Sequence, residues 1–382
     1  MISVLLPTDF SENSMNAITY ALEFFKHQKT EFFVMHAYQN DVYDHEKLVS
    51  REDFDDQTMD LPSSATSGYE FISVNAGKLR NEGVEILLSG TPIKTNDFTW
   101  EVNLNFTKNK NKVIALHPDI DTYTISEARW AGASIVAKVG GEYGAIMGQD
   151  FLRTDKGEVI HGDNGLPLFT NEKVVLGNGV PDWTAGLNNR FTYKGVTLQF
   201  LLDIKQGMDV YSMTNSVAAN KGLLDVTTQG RDAYNAALAE ALVADPDLSV
   251  SNWVPTAGYV SSGVVNTGTA DNPVYAPNTT PVNPQNYWAT VFERTPAPFI
   301  YDASYVKLRE VSLGYEFPRS LVQSLGITSL NLSAFGRNLL TFSNNLPNID
   351  PESMYTSGNG QGFEYGSLPS RQSYGLNLKV TF

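Results

Sequence analysis

The sequence predicts a mainly β protein, a long-stranded antiparallel meander of about eight or nine strands behind a short N-terminal βαβ fragment. From about Leu61 onward, apolar and polar side chains alternate with period two, which places them on opposite faces of a strand. The alternating segments run for roughly ten residues. A tilted strand needs about nine to eleven to cross a bilayer, whereas a mean soluble strand has about five or six. Connections alternate between short turns and long loops, as in outer-membrane barrels.

The first fifty residues are predicted to form strand, helix and strand. Ile2–Leu6 is a short apolar run, typical of a strand buried on both faces. Ser11 or Asn13 can cap a following helix, and Glu31–Ala37 is a second apolar run. The helix is indicated by apolar residues at helical spacing, namely Ala17, Ile18, Ala21, Leu22 and Phe25. A βαβ unit belongs to a parallel sheet.

Two hairpins are the clearest part of the meander. Phe98–Thr107 alternates without exception, and Val84–Ile93 precedes it across a turn at Thr95–Asp97. The second hairpin turns at Lys194-Gly195. Its apolar face is formed by Trp183, Ala185, Leu187, Phe191 and Tyr193 on one strand and by Val196, Leu198, Phe200, Leu202 and Ile204 on the other. Asn189 is the one polar residue on that face.

Three further strands are predicted near the C-terminus, at Val311–Phe317, Leu330–Phe342 and Tyr374–Phe382. In the last, Gly375, Asn377, Lys379 and Thr381 form the polar face. The apolar face is the signal of a barrel's C-terminal strand and comprises Tyr374, Leu376, Leu378, Val380 and Phe382. Aromatic residues also lie near strand ends, as an interfacial girdle requires. The pattern therefore predicts a partial outer-membrane β-barrel in contact with a lipid bilayer.

The longest predicted loop covers about residues 207–298 and is rich in Asn, Thr, Pro and Ala. Arg231–Ala244 is predicted as a helix within it, ended by Asp245-Pro246. Trp253 and Trp288 are candidates for stacking on sugar rings. The alternative is that these rings only pack the loop together.

Composition excludes several classes of function. The chain has 42 Asp and Glu against 27 Lys and Arg, with a net charge of −15, so nucleic acid is not expected as a partner. It has no cysteine, and its five histidines lack metal-ligand spacing, so neither a metal nor another cofactor is expected. No catalytic constellation is present, and the sequence predicts no enzyme. No apolar run reaches the ~18–20 residues of a membrane helix.

Six segments resemble the late barrel of the SusC/RagA family, the TonB-linked outer-membrane transporters. In chain order they are Asn75–Glu85, Leu176–Trp183, Asp209–Asn215, Asp302–Pro318, Gly336–Phe342 and Asn348–Glu352. The resemblance covers about residues 61–382. It implies a location in the outer membrane, assembly by the barrel-assembly machinery, a SusD-like surface lipoprotein as partner, energy from TonB, and uptake of glycan fragments or peptides.

The resemblance is to only part of that family's pattern. No plug domain, TonB box or export signal is found, and the earlier strands of a barrel of ~22 strands are missing. What matches is about the C-terminal third, and the fragment alone is expected not to be transport-competent.

Residues 1–50 resemble the start of a universal stress protein, through Ile2–Ser11 and Phe33–Ala37. That resemblance makes Thr8 and Asp9 weak nucleotide-binding candidates. The family's glycine-rich phosphate loop is not found, because the spacing after Gly141-Glu-Tyr-Gly144 reaches Thr154. The chain is therefore interpreted as an apparent chimera, with a stress-protein-like fragment at 1–55, a junction at 56–66 and a barrel part at 67–382.

Two alternative functions remain open from the sequence. One is a soluble, stress-protein-like nucleotide binder with a β-rich tail. The other is a soluble β-structured carbohydrate-binding or adhesion module. Dependence on detergent separates both from an outer-membrane barrel, whose apolar faces would otherwise be exposed to water.

Overall fold

A computed structural model describes residues 2–8, 30–36, 51–62, 71–128, 132–355 and 358–382, with side chains from Gly77 onward. The chain divides into two compact units, Met1–Leu48 and Val49–Phe382. In the first unit, strands β1 (Ile2–Thr8) and β2 (Thr30–His36) pair in parallel, with Ile2 opposite Thr30 and Thr8 opposite His36. Both predicted strands are therefore present. The predicted helix between them and the nucleotide candidate Asp9 lie outside the described residues.

The remaining strands and the helices that the structure describes belong to the second unit. Its strands are β3 (Arg51–Pro62), β4 (Phe71–Lys94), β5 (Phe98–Ala115), β6 (Thr122–Glu127), β7 (Ser134–Lys138), β8 (Tyr143–Gly148), β9 (Ile160–His161), β10 (Val174–Asn178), β11 (Trp183–Tyr193), β12 (Val196–Gln206), β13 (Asp209–Ser212), β14 (Val264–Asn266), β15 (Tyr275–Pro277), β16 (Ile300–Asp302), β17 (Tyr305–Glu316), β18 (Ser329–Asn344), β19 (Phe363–Glu364) and β20 (Ser373–Thr381). Its helices are α1 (Met213–Asn220), α2 (Arg231–Ala244), α3 (Pro284–Arg294) and α4 (Arg319–Val322). The predicted helix at Arg231–Ala244 is confirmed.

An eight-stranded sheet dominates the second unit, in the order β20-β18-β17-β12-β11-β5-β4-β3. Every neighbouring pair is antiparallel. The order in the sheet follows the order in the chain, with the smaller elements inserted in the connections. The predicted long-stranded meander is therefore confirmed. Within the described residues the sheet is open, with β3 and β20 as its edges.

The connections alternate in length as predicted. β4 and β5 meet across the Thr95–Asp97 turn, and β11 and β12 across Lys194-Gly195. Lys194 and Gly195 have φ angles of 45° and 86°, the left-handed pair that matches the twist of a two-residue hairpin. At the opposite end of the sheet, the connections from β5 to β11, from β12 to β17 and from β18 to β20 are long.

Two strands are longer than the alternation indicates. β5 continues to Ala115, and β4 begins at Phe71. In these extensions both strands carry polar residues on both faces, for example at Lys108–Lys112. The period-two pattern of side chains therefore stops there, although the backbones of β4 and β5 stay paired. Arg51–Pro62 pairs with β4, so residues 56–66, interpreted above as a junction, include the second half of β3. β3 was not predicted, because it is rich in acidic residues, which are unfavourable in strands, and shows no alternation of apolar and polar residues.

The long connections fold into a layer with its own core. β6, β7, β8 and β10 form a four-stranded sheet, and two three-stranded sheets are built from β9, β14 and β15 and from β13, β16 and β19. The main buried cluster comprises Ala133, Ile135, Ile146, Tyr211, Met213, Ala219, Val282, Tyr287, Trp288, Val291, Phe299 and Phe363. The loop at 207–298 is thus largely ordered by burial of apolar residues, including helices α1 and α3.

Candidate functional site: a membrane face, an ion cluster and a loop pocket

One face of the large sheet is apolar and exposed. Its exposed side chains include Leu198, Leu313, Leu332, Leu340, Phe342, Tyr374, Leu376, Leu378 and Phe382. The exposed fraction is 78% for Leu376 and 86% for Phe382, both in the predicted C-terminal strand. A water-soluble sandwich would cover such a face with a second layer, because large exposed apolar surfaces favour association. In the described part of the chain these side chains have no such cover.

The apolar residues lie in register across the sheet. One row is formed entirely by leucine, namely Leu88, Leu104, Leu187, Leu202, Leu308 and Leu340. A second row contains Phe98, Tyr193, Val196, Tyr315, Leu332 and Leu378. Paired strands thus keep their apolar sides together, and the face is a continuous band.

Aromatic residues mark the two limits of the band. Tyr193 lies at one end of β11, and Trp183, packed against Phe106 at 5.7 Å between ring centroids, lies at the other. Ten residue steps of about 3.3 Å span about 33 Å along the strand, which at a tilt of about 40° crosses about 25 Å. That is the height of the apolar band of outer-membrane barrels.

The polar exception on this face, Asn189, has a local explanation. The Trp100 indole Nε1 donates to Asn189 Oδ1 at 3.1 Å across β5 and β11. Asn189 is only 6% exposed, beneath rings that include Phe191, which stacks on Trp100 at 5.8 Å. The carboxamide oxygen is therefore hydrogen-bonded and shielded, and the face stays effectively apolar.

The opposite face of the sheet is polar. Cross-strand pairs include Thr99 with Thr192 and Asn103 with Asn188. Arg190 Nε lies 3.7 Å from Glu101 Oε2, with both side chains exposed. Leu87 and Leu201 are exceptions on this side, placed there by the register opposite Asn105 and Asn188. The predicted division into an apolar and a polar face holds for most of the sheet.

A bulge in β17 concentrates charge on the polar face. Leu308 pairs with Leu202 while Glu310 pairs with Leu201, so Arg309 is the extra residue. The bulge reverses the alternation and brings Arg309 and Glu310 to the same face. Sequence reasoning missed the resulting site, although the change of phase between Leu308 and Val311 signals it.

The charges that meet there form an ion cluster, defined by Asp203, Lys307, Arg309, Asp350 and Glu352. Lys307 Nζ lies 2.6 Å from Asp350 Oδ1 and 2.7 Å from Glu352 Oε2, and its side chain is 4% exposed. Arg309 donates from Nη2 to Glu352 Oε1 at 2.7 Å and from Nε to Asp203 Oδ2 at 3.1 Å. The cluster thus joins the connection between β18 and β20, which carries Asp350 and Glu352, to the sheet by ion pairs.

Both carboxylates of that connection are held in the charged form. Burial alone would raise the pKa of Asp350, but hydrogen bonds from Lys307 and Ser370 outweigh it and lower the pKa to about 2. Burial likewise opposes hydrogen bonds from Arg309 and Lys307 at Glu352, whose pKa is lowered to about 2. These two groups therefore contribute stability above the pKa values of the unfolded chain.

Trp253 and Trp288 lie in the loop layer. Trp288 is 9% exposed and packs against Tyr259 and Tyr287. Trp253 packs against Tyr234 at 5.6 Å between ring centroids. Both rings pack within the loop layer, and stacking of either ring on a sugar stays a prediction. Trp288 nevertheless contributes to the wall of a loop pocket of about 500 Å³.

Metal-ligating clusters and membrane-spanning helices are both absent from the described residues. No group of three or more His, Asp or Glu side chains there is arranged to hold a metal ion. No helix among them is long and apolar enough to cross a membrane.

Known proteins with similar sequences are TonB-dependent receptors. Receptor P3 of Formosa agariphila is 29% identical over 374 residues, covering 89% of this chain and 33% of the relative. Receptor P26 of the same organism is 26% identical over 352 residues, covering 86% and 31%. SusC of Bacteroides thetaiotaomicron is 28% identical over 183 residues, covering 44% and 18%. No protein-family model matches the chain.

Solved structures with a similar fold agree with these relatives. The RagAB peptide transporter has a TM-score of 0.55 at 19% identity, covering 85% of this chain and 32% of that chain. The RagAB peptide importer in its closed-closed state has a TM-score of 0.56 at 18% identity, covering 87% and 33%. The chain spans about a third of the length of these proteins. Its fold is similar to that of part of RagAB, and its homologues are TonB-dependent receptors.

Proposed function

We propose that the eight-stranded sheet is part of the barrel wall of an outer-membrane, TonB-dependent receptor of the SusC/RagA type, which takes up glycan fragments or peptides. The observation that carries the proposal is the exposed apolar band about 25 Å high, backed by a polar face. Lipid would cover the band, and the polar face would line the aqueous interior. The chain acts as a transporter part and not as an enzyme.

The partners follow from the same role. A SusD-like surface lipoprotein would cover the loop layer, the TonB complex would supply energy, and the barrel-assembly machinery would insert the strands. SusC among the relatives and RagAB among the solved structures support the lipoprotein partner. The TonB complex and the barrel-assembly machinery complete the proposal. The two soluble alternatives are disfavoured because each would leave the apolar band exposed to water.

The sheet alone is not transport-competent in this proposal. β3 and β20 are edges within the described residues, and each backbone group left unpaired in lipid costs several kcal/mol. The two edges must therefore pair with each other or with further strands before the sheet is closed in lipid.

We also propose that the chain is a chimera, with its first unit derived from a stress-protein-like βαβ fragment. The support is the parallel pairing of β1 and β2 in a unit separate from the antiparallel sheet. A nucleotide site at Thr8 and Asp9 is not proposed, because the sequence lacks the phosphate loop that would complete it.

Detergent dependence tests the proposed function. The chain, refolded with detergent, is expected to migrate faster on a gel when unheated than when boiled, as folded β-barrel material does. Without detergent it is expected to aggregate. A compact, monodisperse particle in plain buffer, measured by light scattering, would contradict the proposal.

A further inference from the structure

A pocket in the loop layer has a wall suited to a charged, hydrophilic ligand. It lies between the end of α1, the start of α2 and the start of α3, and its volume is about 500 Å³. That falls within the range of small-ligand sites, about 300–1,000 Å³. Its wall includes Ala219, Asn220, Lys221, Gly222, Thr227, Arg231, Tyr234, Asn235, Asn283, Pro284, Gln285, Trp288 and Ala289.

The charge of this wall is opposite to that of the chain. Lys221 and Arg231 are cationic, and none of the described residues lining the pocket is acidic. The chain as a whole carries a net charge of −15. Both cationic residues are exposed, so their charges are accessible to a ligand. Because cations grouped in a pocket attract anions locally, this wall favours an anionic ligand.

The Arg231 guanidinium is fixed in this wall. Its Nη2 donates to the backbone oxygens of Gly222 and Thr227, each at 3.1 Å. Gly222 has a φ of 71°, and a side chain there would approach Arg231 Nη2 to 3.0 Å. The glycine thus allows both the left-handed turn and the close approach of the guanidinium. Arg231 is preorganised, whereas the exposed Lys221 ammonium can move to reach a ligand.

The rest of the wall supplies amides and rings. Asn220, Asn235, Asn283 and Gln285 carry both hydrogen-bond donors and acceptors, which suits ligand hydroxyl groups. Tyr234 and Trp288 add apolar surface, although both are mostly buried. A wall of several amides around two cations suits a sugar ring that bears hydroxyl groups and a carboxylate. It suits the apolar side chain of a peptide ligand less well.

We infer that this pocket binds an acidic saccharide, with the ligand carboxylate at Lys221 and Arg231 and its hydroxyls at the surrounding amides. This inference rests on the proposed function and extends it by naming the ligand class of the loop layer. It requires only a folded loop layer and needs neither TonB nor transport.

Calorimetry with the full chain in detergent tests this inference, using trigalacturonic acid as the probe. We expect binding that weakens as sodium chloride is raised, because the contact is ionic. Maltotriose, the neutral counterpart in size, is expected to bind at least about tenfold more weakly, because it offers no carboxylate to Lys221 and Arg231. Lys221→Gln should weaken trigalacturonate binding by a similar factor.

Lys156→Gln is the matched control, because Lys156 is an exposed lysine outside the pocket wall. Asn235→Ala is a second variant and should weaken both saccharides. Equal binding of the two saccharides, no binding of trigalacturonate, or full affinity in Lys221→Gln would overturn the inference. Binding of the peptide trialanine that depends on Lys221, without binding of trigalacturonate, would also overturn the inference. If saccharide binding fails but the chain still needs detergent to stay folded, only the ligand assigned to the pocket is wrong. If the chain needs no detergent, the proposed function is wrong.

Discussion

Replacing Lys307 with methionine is expected to lower the free energy of unfolding by about 3 kcal/mol, because the partly buried Asp350 loses its cationic partner and Glu352 keeps Arg309 alone. The Lys307 side chain is 4% exposed and forms ion pairs with both Asp350 and Glu352. The side chains of these two residues are 12% and 26% exposed. Methionine fills similar volume, so the loss reports charge rather than packing. Urea unfolding in detergent, followed by tryptophan fluorescence, measures it.

Arg337→Met is the matched control for this variant. Arg337 Nε lies 2.8 Å from Glu310 Oε2 on the same face of the sheet, but the arginine side chain is 58% exposed. Exposed pairs contribute only about 0–1 kcal/mol, so the control should lose little. Similar losses in both variants would show that the ion cluster has no special role.

Acid should reduce the difference between wild type and Lys307→Met. The pKa values of Asp350 and Glu352 are lowered to about 2 in the folded protein, below the values of about 4 in an unfolded chain. The stability they contribute is therefore fully present above pH about 5 and is lost as the pH falls toward 2. A gap between the two proteins that stays constant from pH 7 to 2 would contradict this cause.

A charge placed on the apolar band is expected to have the second large effect. Val311 is the site chosen, because it pairs with Phe200, which is itself paired with Asn189. Asn189 lies between Trp183 and Tyr193, so this row is near the middle of the band. Val311→Arg should cost about 2–4 kcal/mol in lipid, the usual cost of arginine at the bilayer midplane of a barrel.

Ser312→Arg is its control, one residue along the same strand. Ser312 pairs with Gln199 on the polar face, where a charge would meet water. The yield of heat-modifiable protein in liposomes should fall for Val311→Arg and stay near wild type for Ser312→Arg. If both variants fold equally well, the band does not contact acyl chains.

The sequence predicted the sheet well because its two faces differ sharply in polarity, which imposes a strict alternation along each strand, visible at Phe98–Thr107 and at Tyr374–Phe382. The sequence predicted strand bounds poorly wherever the two faces of a strand do not differ in polarity. The extensions of β4 and β5 have polar residues on both faces, and β3 is rich in acidic residues, so neither shows a period.

The ion cluster and the loop pocket were missed for a different reason. Lys307 and Glu352 are far apart in the chain, and only the bulge at Arg309 and the fold of the β18–β20 connection bring their charges together. The pocket likewise combines residues from three helices. Trp288 could be singled out as an aromatic residue in a long loop, but its burial follows from packing against Tyr259 and Tyr287.

Spin-label accessibility along β17 tests the membrane face most directly. The chain has no cysteine, so single cysteines at Val311, Ser312, Leu313, Gly314 and Tyr315 can be labelled without background. In liposomes, labels at 311, 313 and 315 should collide with oxygen, which concentrates in lipid, and those at 312 and 314 with a water-soluble nickel chelate. Equal access of the nickel chelate to all five positions would contradict the account.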